Sequence, residues 1–280
     1  MKTGRALMDE VLNSRPAEGE VYFWWLGQLG YLIRLGDVTL MIDGFLTQND
    51  VRLQPSMIRP EELRGVDYIL GTHDHDDHID RIAWRVIART LPDVRFIVPS
   101  PFVDDLAADL AVPRDRLIGI SEGKGVFEAP GIRVEGIAAA HETLDRDPVT
   151  GEYPYTGFVI AGNGVKLYHS GDCVVYDGLE RKLLDRGPFD VVFLPINGRD
   201  GKRFRAGCIG NMTFQEAVSL VCNIRPALTV PGHYDMFPGN TINPIEFTDY
   251  LEAREPALAY WLGSRGTCVK YAKGDLRPAT

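Results

Sequence analysis

Between Gly71 and Asp80 the chain reads GTHDHDDHID, which places three histidines and four aspartates within eight positions. Neutral imidazoles and carboxylates are the side chains that hold Zn, Mn or Fe. The chemistry open to such a cluster is therefore metal-assisted. The bland alternative, a solvated acidic turn, requires three of the chain's six histidines to have gathered there by chance. The apolar run Tyr68-Ile69-Leu70 precedes the cluster and reads as a short buried strand. The polar residues then sit at its C-terminal edge, where open α/β sheets place their chemistry. In an extended backbone His73 and His75 would point the same way, whereas Asp77 and His78 lie past the turn and face a second point. Asp80 is placed to cap a helix over Arg81–Thr90 by accepting from free backbone N–H groups.

Other segments must bring further ligands to the same edge. A strand over Ile132–Ala140 delivers His141. A hairpin of Gly157–Ala161 and Val165–His169, turning at Gly162-Asn163-Gly164, delivers Asp172. A strand over Ala227–Val230 delivers His233. The candidate metal ligands are thus seven: His73, His75, Asp77, His78, His141, Asp172 and His233. Strand exits are a direct way to gather distant residues on rigid supports. His169, the remaining histidine, reads as a packed or supporting residue.

The rest of the pattern frames these elements. Residues 1–20 form an N-terminal surface helix that ends before Pro16. Residues 21–33, VYFWWLGQLGYLI, give two aromatic strands and Val38–Ile42 a third, an antiparallel meander rather than a nucleotide-binding start. Trp24 and Trp25 read as packing residues. Helices over Phe102–Leu110, Leu179–Asp185, Phe214–Asn223 and Pro244–Arg254 alternate with strands Arg95–Pro99, Val191–Pro195 and one near Thr267–Tyr271. Thr213 and Glu216 make a capping box for the third of these helices. With no Pro/Ser-rich linker and no short repeat, residues 1–280 are expected to be a single α/β domain of two packed αβ halves.

Composition narrows the function. The chain has 280 residues, 45% hydrophobic, and a formal charge of −9, which disfavours a nucleic-acid surface. Its four cysteines show no C-x-x-C spacing, so neither a disulfide framework nor a zinc knuckle is expected. Neither a signal-like segment nor 18 consecutive apolar residues occurs, so the expectation is cytoplasmic, with a small-molecule substrate and no nucleic-acid or membrane partner. A homo-oligomer is left open.

The order H-x-H-x-D-H, here His73-Asp74-His75-Asp76-Asp77-His78, resembles the signature of the metallo-β-lactamase superfamily. The likeness extends over residues 21–272, with Asp43 in the position of the superfamily's early aspartate. Three segments, WWLGQLGYLI (24–33), THDHDDHID (72–80) and LYHSGD (167–172), are similar to the L-ascorbate-6-phosphate lactonase-like metal-dependent hydrolases. The resemblance implies a four-layer αββα sandwich and two divalent metal ions per chain, Mn or Zn. His73, His75 and His141 would hold one ion and Asp77, His78 and His233 the other, with Asp172 bridging. Two cations about 3.5–4 Å apart can share a water and lower its pKa toward neutrality, giving a metal-bridging hydroxide. Asp77 would orient that nucleophile. His75 stands where oxygen-reducing di-iron relatives carry Glu, which favours hydrolysis over redox work. The expected reaction is the opening of a small, anionic lactone, that is, cleavage of a carboxylic ester bond. The alternatives are a phosphodiesterase on a small or nucleotide-like substrate and a non-catalytic ligand-binding member.

Weaker features concern the substrate. The segment 197–211 carries Arg199, Lys202, Arg203 and Arg205 against Asp200, a local balance of 4 − 1 = +3 in an acidic chain. Such a loop would clamp an anion, because a guanidinium grips phosphate or carboxylate in a fork; an ordinary solvated loop or subunit contact accounts for it equally. Tyr234, beside His233, and Tyr176 are candidate proton donors to a leaving alkoxide, with packing as the simpler account. Cys173 reads as a small buried hydrophobe. The polar loop Glu142–Thr156 is long enough for a lid, and its Arg146 would line the pocket or pair within the lid.

Overall fold

The computed structural model describes residues 1–274; the last six residues of the expected 1–280 domain lie outside them. After helix α1 (Gly4–Asn13), strands β1 (Glu20–Gly27), β2 (Gly30–Leu35) and β3 (Val38–Ile42) form the expected antiparallel meander. β4 (Tyr68–Leu70), helix α2 (Arg81–Thr90), β5 (Arg95–Pro99), helix α3 (Val103–Leu110) and β6 (Leu117–Ile120) then continue that sheet in parallel. The second sheet takes β7 (Val126–Ala129), β8 (Ile132–Ala138), β9 (Thr156–Gly162) and β10 (Val165–His169) as antiparallel neighbours. Helix α4 (Leu179–Arg186), β11 (Val191–Pro195), the short helix α5 (Gly201–Arg205), helix α6 (Phe214–Ile224) and β12 (Leu228–Gly232) follow. Helix α7 (Ile245–Arg254) leads to β13 (Cys268–Ala272), which returns to pair with β1. The strand orders are β13-β1-β2-β3-β4-β5-β6 and β12-β11-β10-β9-β8-β7.

Strand alternation explains the four layers. Successive side chains of β1 point to opposite faces: Phe23 and Trp25 enter the core between the sheets with Phe158, Leu167 and Phe193. Trp24 and Leu26 enter a second core, where Leu7, Met8, Trp84, Ile87 and Leu106 of α1, α2 and α3 cover the outer face. Leu183 of α4, Val218 of α6 and Phe247 of α7 join the inner cluster from the far side of the second sheet. Helix, sheet, sheet and helix therefore stack as expected. Among the described residues no helix is long and apolar enough to cross a membrane.

Three elements depart from the sequence expectation. β6 and β7 are four-residue strands, too short to show periodicity, and β7 is an edge strand whose residues are exposed or half-buried. α5 breaks up the loop 197–211, because the Asp200 carboxylate accepts from Lys202 N and Arg203 N and nucleates a turn.

Candidate metal centre

The motif after β4 is not extended. His78 N donates to His75 O at 2.9 Å and Ile79 N to the same oxygen at 2.8 Å, so the chain closes a turn between His73 and Ile79. His73 and His75 still meet, with His73 Nε2 at 2.9 Å from His75 Nδ1. Asp80 ends the turn as expected, accepting from Ala83 N at 3.0 Å to cap α2. The same carboxylate also takes Leu46 N and Thr47 N at 2.8 and 2.7 Å, tying the chain after β3 to the motif.

The other ligands arrive from the expected strand exits. Beyond β10, Gly171 holds φ +60°, and a Cβ there would stand 2.7 Å from the Thr72 side chain. Only glycine fits that approach, and it turns Asp172 back toward the motif. Asp172 Oδ1 lies 3.3 Å from His78 Nε2, and its Oδ2 lies 3.1 Å from His233 Nε2 and 3.7 Å from His141 Nε2. Asp77 Oδ2 is 3.5 Å from His78 Nε2 and 3.8 Å from His233 Nε2. Three sets, His73/His75/His141, His73/His78/Asp172 and Asp77/His78/His233, each offer ligand atoms within 4.8 Å of one another. All seven predicted ligands come together, and Asp172 faces members of both ion sets.

A supporting layer fixes the rings. Asp43, fully buried at φ +46°, accepts from Thr72 N at 2.9 Å and Thr72 Oγ1 at 2.8 Å, and stands 2.6 Å from His78 Nδ1. That contact leaves Nε2 of His78 to face Asp172 and Asp77, the usual way a carboxylate sets the tautomer of a ligating imidazole. His169 has the supporting place expected of it: Gly171 N donates to its Nδ1 at 3.2 Å, so its Nε2–H donates to Leu29 O at 2.8 Å.

The electrostatics ask for positive charge. Burial drives the His73 and His141 imidazoles down, the latter to about 4, so both stand neutral with lone pairs available. Burial also works against the His78 cation, but Asp172, Asp77 and Asp43 outweigh it and raise His78 well above its ordinary value. Burial pushes the Asp172 carboxyl up, yet His233 and His78 hold it well below the usual range. His78 Nε2 and Asp172 Oδ1, which face each other inside the site, are buried without a hydrogen-bond partner, and so are the Nδ1 atoms of His141 and His233, whose Nε2 atoms face Asp172. Orphaned buried donors and acceptors are costly. The neutral imidazoles of His73 and His141, ionised carboxylates, and a His78 ring that would give up its extra proton to a cation make a donor set that suits divalent Zn or Mn. The residues present fit two such ions.

A cleft of about 450 Å³ opens over the ligands, lined by Asp74, Asp76, His75, Cys208, Ile209 and Phe237 among others. An adjoining hollow of about 300 Å³ shares Cys208 and Ile209 and adds Phe204 and Glu142. The segment 197–211 thus faces the metal centre, but with its apolar tip. Arg199 lines the adjoining hollow, and both it and Arg203 already have protein partners. Arg199 grips Glu216 with two contacts of 2.6 Å. Arg203 donates to Gly239 O at 3.0 Å, to Thr241 O at 2.7 Å and to Asn197 O. Arg205 is exposed and lines neither hollow. Arg146 donates to Gly151 O at 3.1 Å within its own loop and lines neither hollow.

Tyr234, expected as a proton donor, lies with its ring 4.8 Å from Trp25 in the inner core, and burial raises its pKa. Packing accounts for that position. Tyr176 donates to Ala138 O at 2.5 Å, and Cys173 is a fully buried member of the core. Two residues at the site escape sequence reasoning. Tyr155 sets its ring 5.4 Å from both His73 and His141. Gln28, fully buried in the β1–β2 turn, brings its Nε2 to 2.9 Å from Asp77 Oδ2. A polar residue inside the aromatic run WWLGQLGYLI was the available signal for Gln28.

Comparison with known proteins agrees with this geometry. Residues 39–234 match the family model described as a beta-lactamase superfamily domain. The chain is 31% identical over 226 residues to a UPF0173 metal-dependent hydrolase of Thermococcus onnurineus, covering 80% of this chain and 88% of that relative. It is 27% identical over 296 aligned positions to a Salmonella choleraesuis protein named "Probable L-ascorbate-6-phosphate lactonase UlaG", covering 92% of this chain and 81% of the relative. Among solved structures, Igni18, a metallo hydrolase from the archaeon Ignicoccus hospitalis, shares the fold with a TM-score of 0.71 at 23% identity, over 90% of this chain and 98% of that one.

Proposed function

This chain belongs to the beta-lactamase superfamily, and from that membership we propose that it is a metal-dependent hydrolase using two divalent ions, Mn or Zn, to open a small lactone. The observation that carries the reading is the convergence of seven candidate ligands from four strand exits, with His78 Nε2 and Asp172 Oδ1 buried inside the site and unpartnered. Bound there, two divalent ions would supply a nucleophilic water at neutral pH and polarise the electrophilic oxygen. His73, His75 and His141 would hold one ion and Asp77, His78 and His233 the other, with Asp172 available to both. Asp77 lines the cleft as well as facing His78, so its carboxylate can accept a proton from water at the reacting carbon. Asp43 keeps His78 in the tautomer that leaves Nε2 free.

The cleft favours an uncharged substrate over a phosphodiester. With Asp77 and Asp172 engaged by the ions, its remaining charged side chains are Asp74 and Asp76, and no lysine or arginine lines it. The arginine at hand, Arg199, lines the adjoining hollow with its guanidinium already gripping Glu216, so a substrate anion would find no free fork. The part of the substrate remote from the carbonyl meets Cys208, Ile209 and Phe204 in that hollow, which suits an apolar substituent.

The test strips the protein with chelator, reloads it with Mn or Zn, counts ions and assays a panel of compounds. Two ions per chain and turnover of neutral alkyl-substituted lactones, exceeding that of phosphorylated lactones and phosphodiesters, is the expected result. A preference for phosphodiesters would sink the lactone reading, and full occupancy by one ion would sink the binuclear one.

A further inference from the structure

We propose that Gln28 is a positioning residue of the metal centre that holds Asp77 and His233 for one ion only. The inference rests on the reading of the site as binuclear. Gln28 occupies the tight turn between β1 and β2 with φ +54° and is fully buried. A non-glycine residue in the left-handed region is uncommon and is retained where the surroundings hold it. Here they do. Its carbonyl accepts from His233 N at 2.8 Å and from the Trp25 indole at 3.0 Å. The preceding Gly232 makes this approach possible, since a Cβ there would stand 2.6 Å from Leu29 Cδ1 and 3.1 Å from Gln28 O. The hairpin tip is therefore bonded to the exit of β12, the strand that delivers His233.

The side chain then reaches a second ligand from a distant segment. Gln28 Nε2 stands 2.9 Å from Asp77 Oδ2 and 3.3 Å from His233 Nε2. The carboxylate fixes which end of the amide faces the site, because Asp77 needs a donor and the amide nitrogen is the end that has one. The same amide therefore lies against both Asp77 and His233, two ligands that come from separate strand exits. Gln28 Oε1 is buried without a partner, a burden an apolar side chain of similar length would avoid. The polar residue is explained by what its nitrogen does for Asp77 and His233. Among the described residues no hydrogen bond joins it to His73, His75 or His141, so its effect falls on one side of the centre.

The experiment titrates metal-stripped protein with Zn²⁺ alone, by calorimetry and chelator competition, in wild type and in Gln28→Met. Wild type should take two ions. Gln28→Met should keep one at wild-type affinity and bind the other about 10–100-fold more weakly, the scale for losing a group that orients a ligand. An Asp77→Asn variant should weaken the same ion, which identifies it. Two ions at unchanged affinity in Gln28→Met, or equal weakening of both, would overturn the assignment while leaving the binuclear reading intact. A wild type that takes a single ion would overturn the binuclear reading and this inference with it. Where Gln28→Met yields no folded protein, Gln28→Leu, which likewise removes the amide N–H, is titrated in its place: selective weakening of the ion that Asp77→Asn weakens supports the role, and two ions at unchanged affinity end it.

Discussion

Replacing Asp43 is the sharpest perturbation of the centre that leaves every proposed metal ligand in the sequence. Its carboxylate serves Thr72 N, Thr72 Oγ1 and His78 Nδ1 at 2.9, 2.8 and 2.6 Å, all in a fully buried setting. Asp43→Ala would strand the Thr72 N–H and the His78 Nδ1–H, at about 1–3 kcal/mol for each unsatisfied buried donor. A further cost comes from the cavity, so a loss of roughly 3–6 kcal/mol is the scale, a large part of a typical domain's about 5–15 kcal/mol. Asp43→Asn separates this structural cost from the chemistry. The carbonyl of Asn can still accept from Thr72, but its NH₂ then confronts a ring nitrogen that carries a proton. His78 must move that proton to Nε2, where it faces Asp172 and Asp77 and blocks ligation. The expected result is a folded variant, less stable by about 1–3 kcal/mol. Its affinity for the ion at Asp77/His78/His233 should fall about 10–100-fold, or about 1.4–2.8 kcal/mol. Calorimetric metal titration reads the affinity, and ¹⁵N shifts of His78 read the tautomer. An Asn variant with unchanged tautomer and both ions at wild-type affinity would refute the orienting role of Asp43.

Two further outcomes follow from contacts in the segment 197–211. Arg203→Gln should release the segment from Gly239 and Thr241, costing about 1–3 kcal/mol of local stability; protease nicking near residue 205 and KM should rise together, equally for neutral and charged lactones, and a selective loss on charged ones would restore the anion clamp. Glu216 is pushed up by burial, but Arg199 and the Thr213 N–H outweigh that and hold it below its ordinary value. A depressed carboxyl stabilises the fold above the unfolded pKa of about 4.3 and loses that contribution as pH falls through the folded value. The melting temperature of Glu216→Gln should therefore lie below wild type at pH 7 and converge on it in acid, and a constant gap would exclude the linkage.

The seven converging residues could be read from the sequence because each lies in a polar segment that follows an apolar run, and alternation and length suffice to see such ends. Asp80 and the Thr213–Glu216 box were equally visible, since a cap is a local event. What escaped depends on partners far along the chain. Arg203 looks like a free charge in a basic loop, but its acceptors are carbonyls at 239 and 241, more than thirty residues on. Carbonyls belong to every residue and leave no trace in sequence. Gln28 sits in an aromatic hairpin where its polarity suggests a turn, and only the return of β12 beside that turn gives it His233. Asp43 was visible as a strand end, but its role needed the orientation of the His78 ring. Charge composition likewise locates the basic segment 197–211 without saying that Arg199 lines a hollow while Arg203 turns to backbone carbonyls.

Four of the seven ligands, His73, His75, Asp77 and His78, lie within six consecutive residues, whereas His141, Asp172 and His233 come from later in the chain. During synthesis that short stretch is complete long before the remaining three exist. A peptide with this spacing is a chelator in its own right, so an ion can be captured by a nascent or unfolded chain. Capture has opposite thermodynamic and kinetic effects. An ion that bound only the native state would stabilise it by about 2.7 kcal/mol at a concentration a hundred times its Kd, and affinity for the unfolded chain subtracts from that gain. Heat resistance should therefore climb less steeply with added metal than the native affinities imply. Meanwhile an ion already seated on residues 73–78 gives the later strand exits a fixed point to converge on, so metal supplied during translation should raise the yield of folded protein more than metal added afterwards.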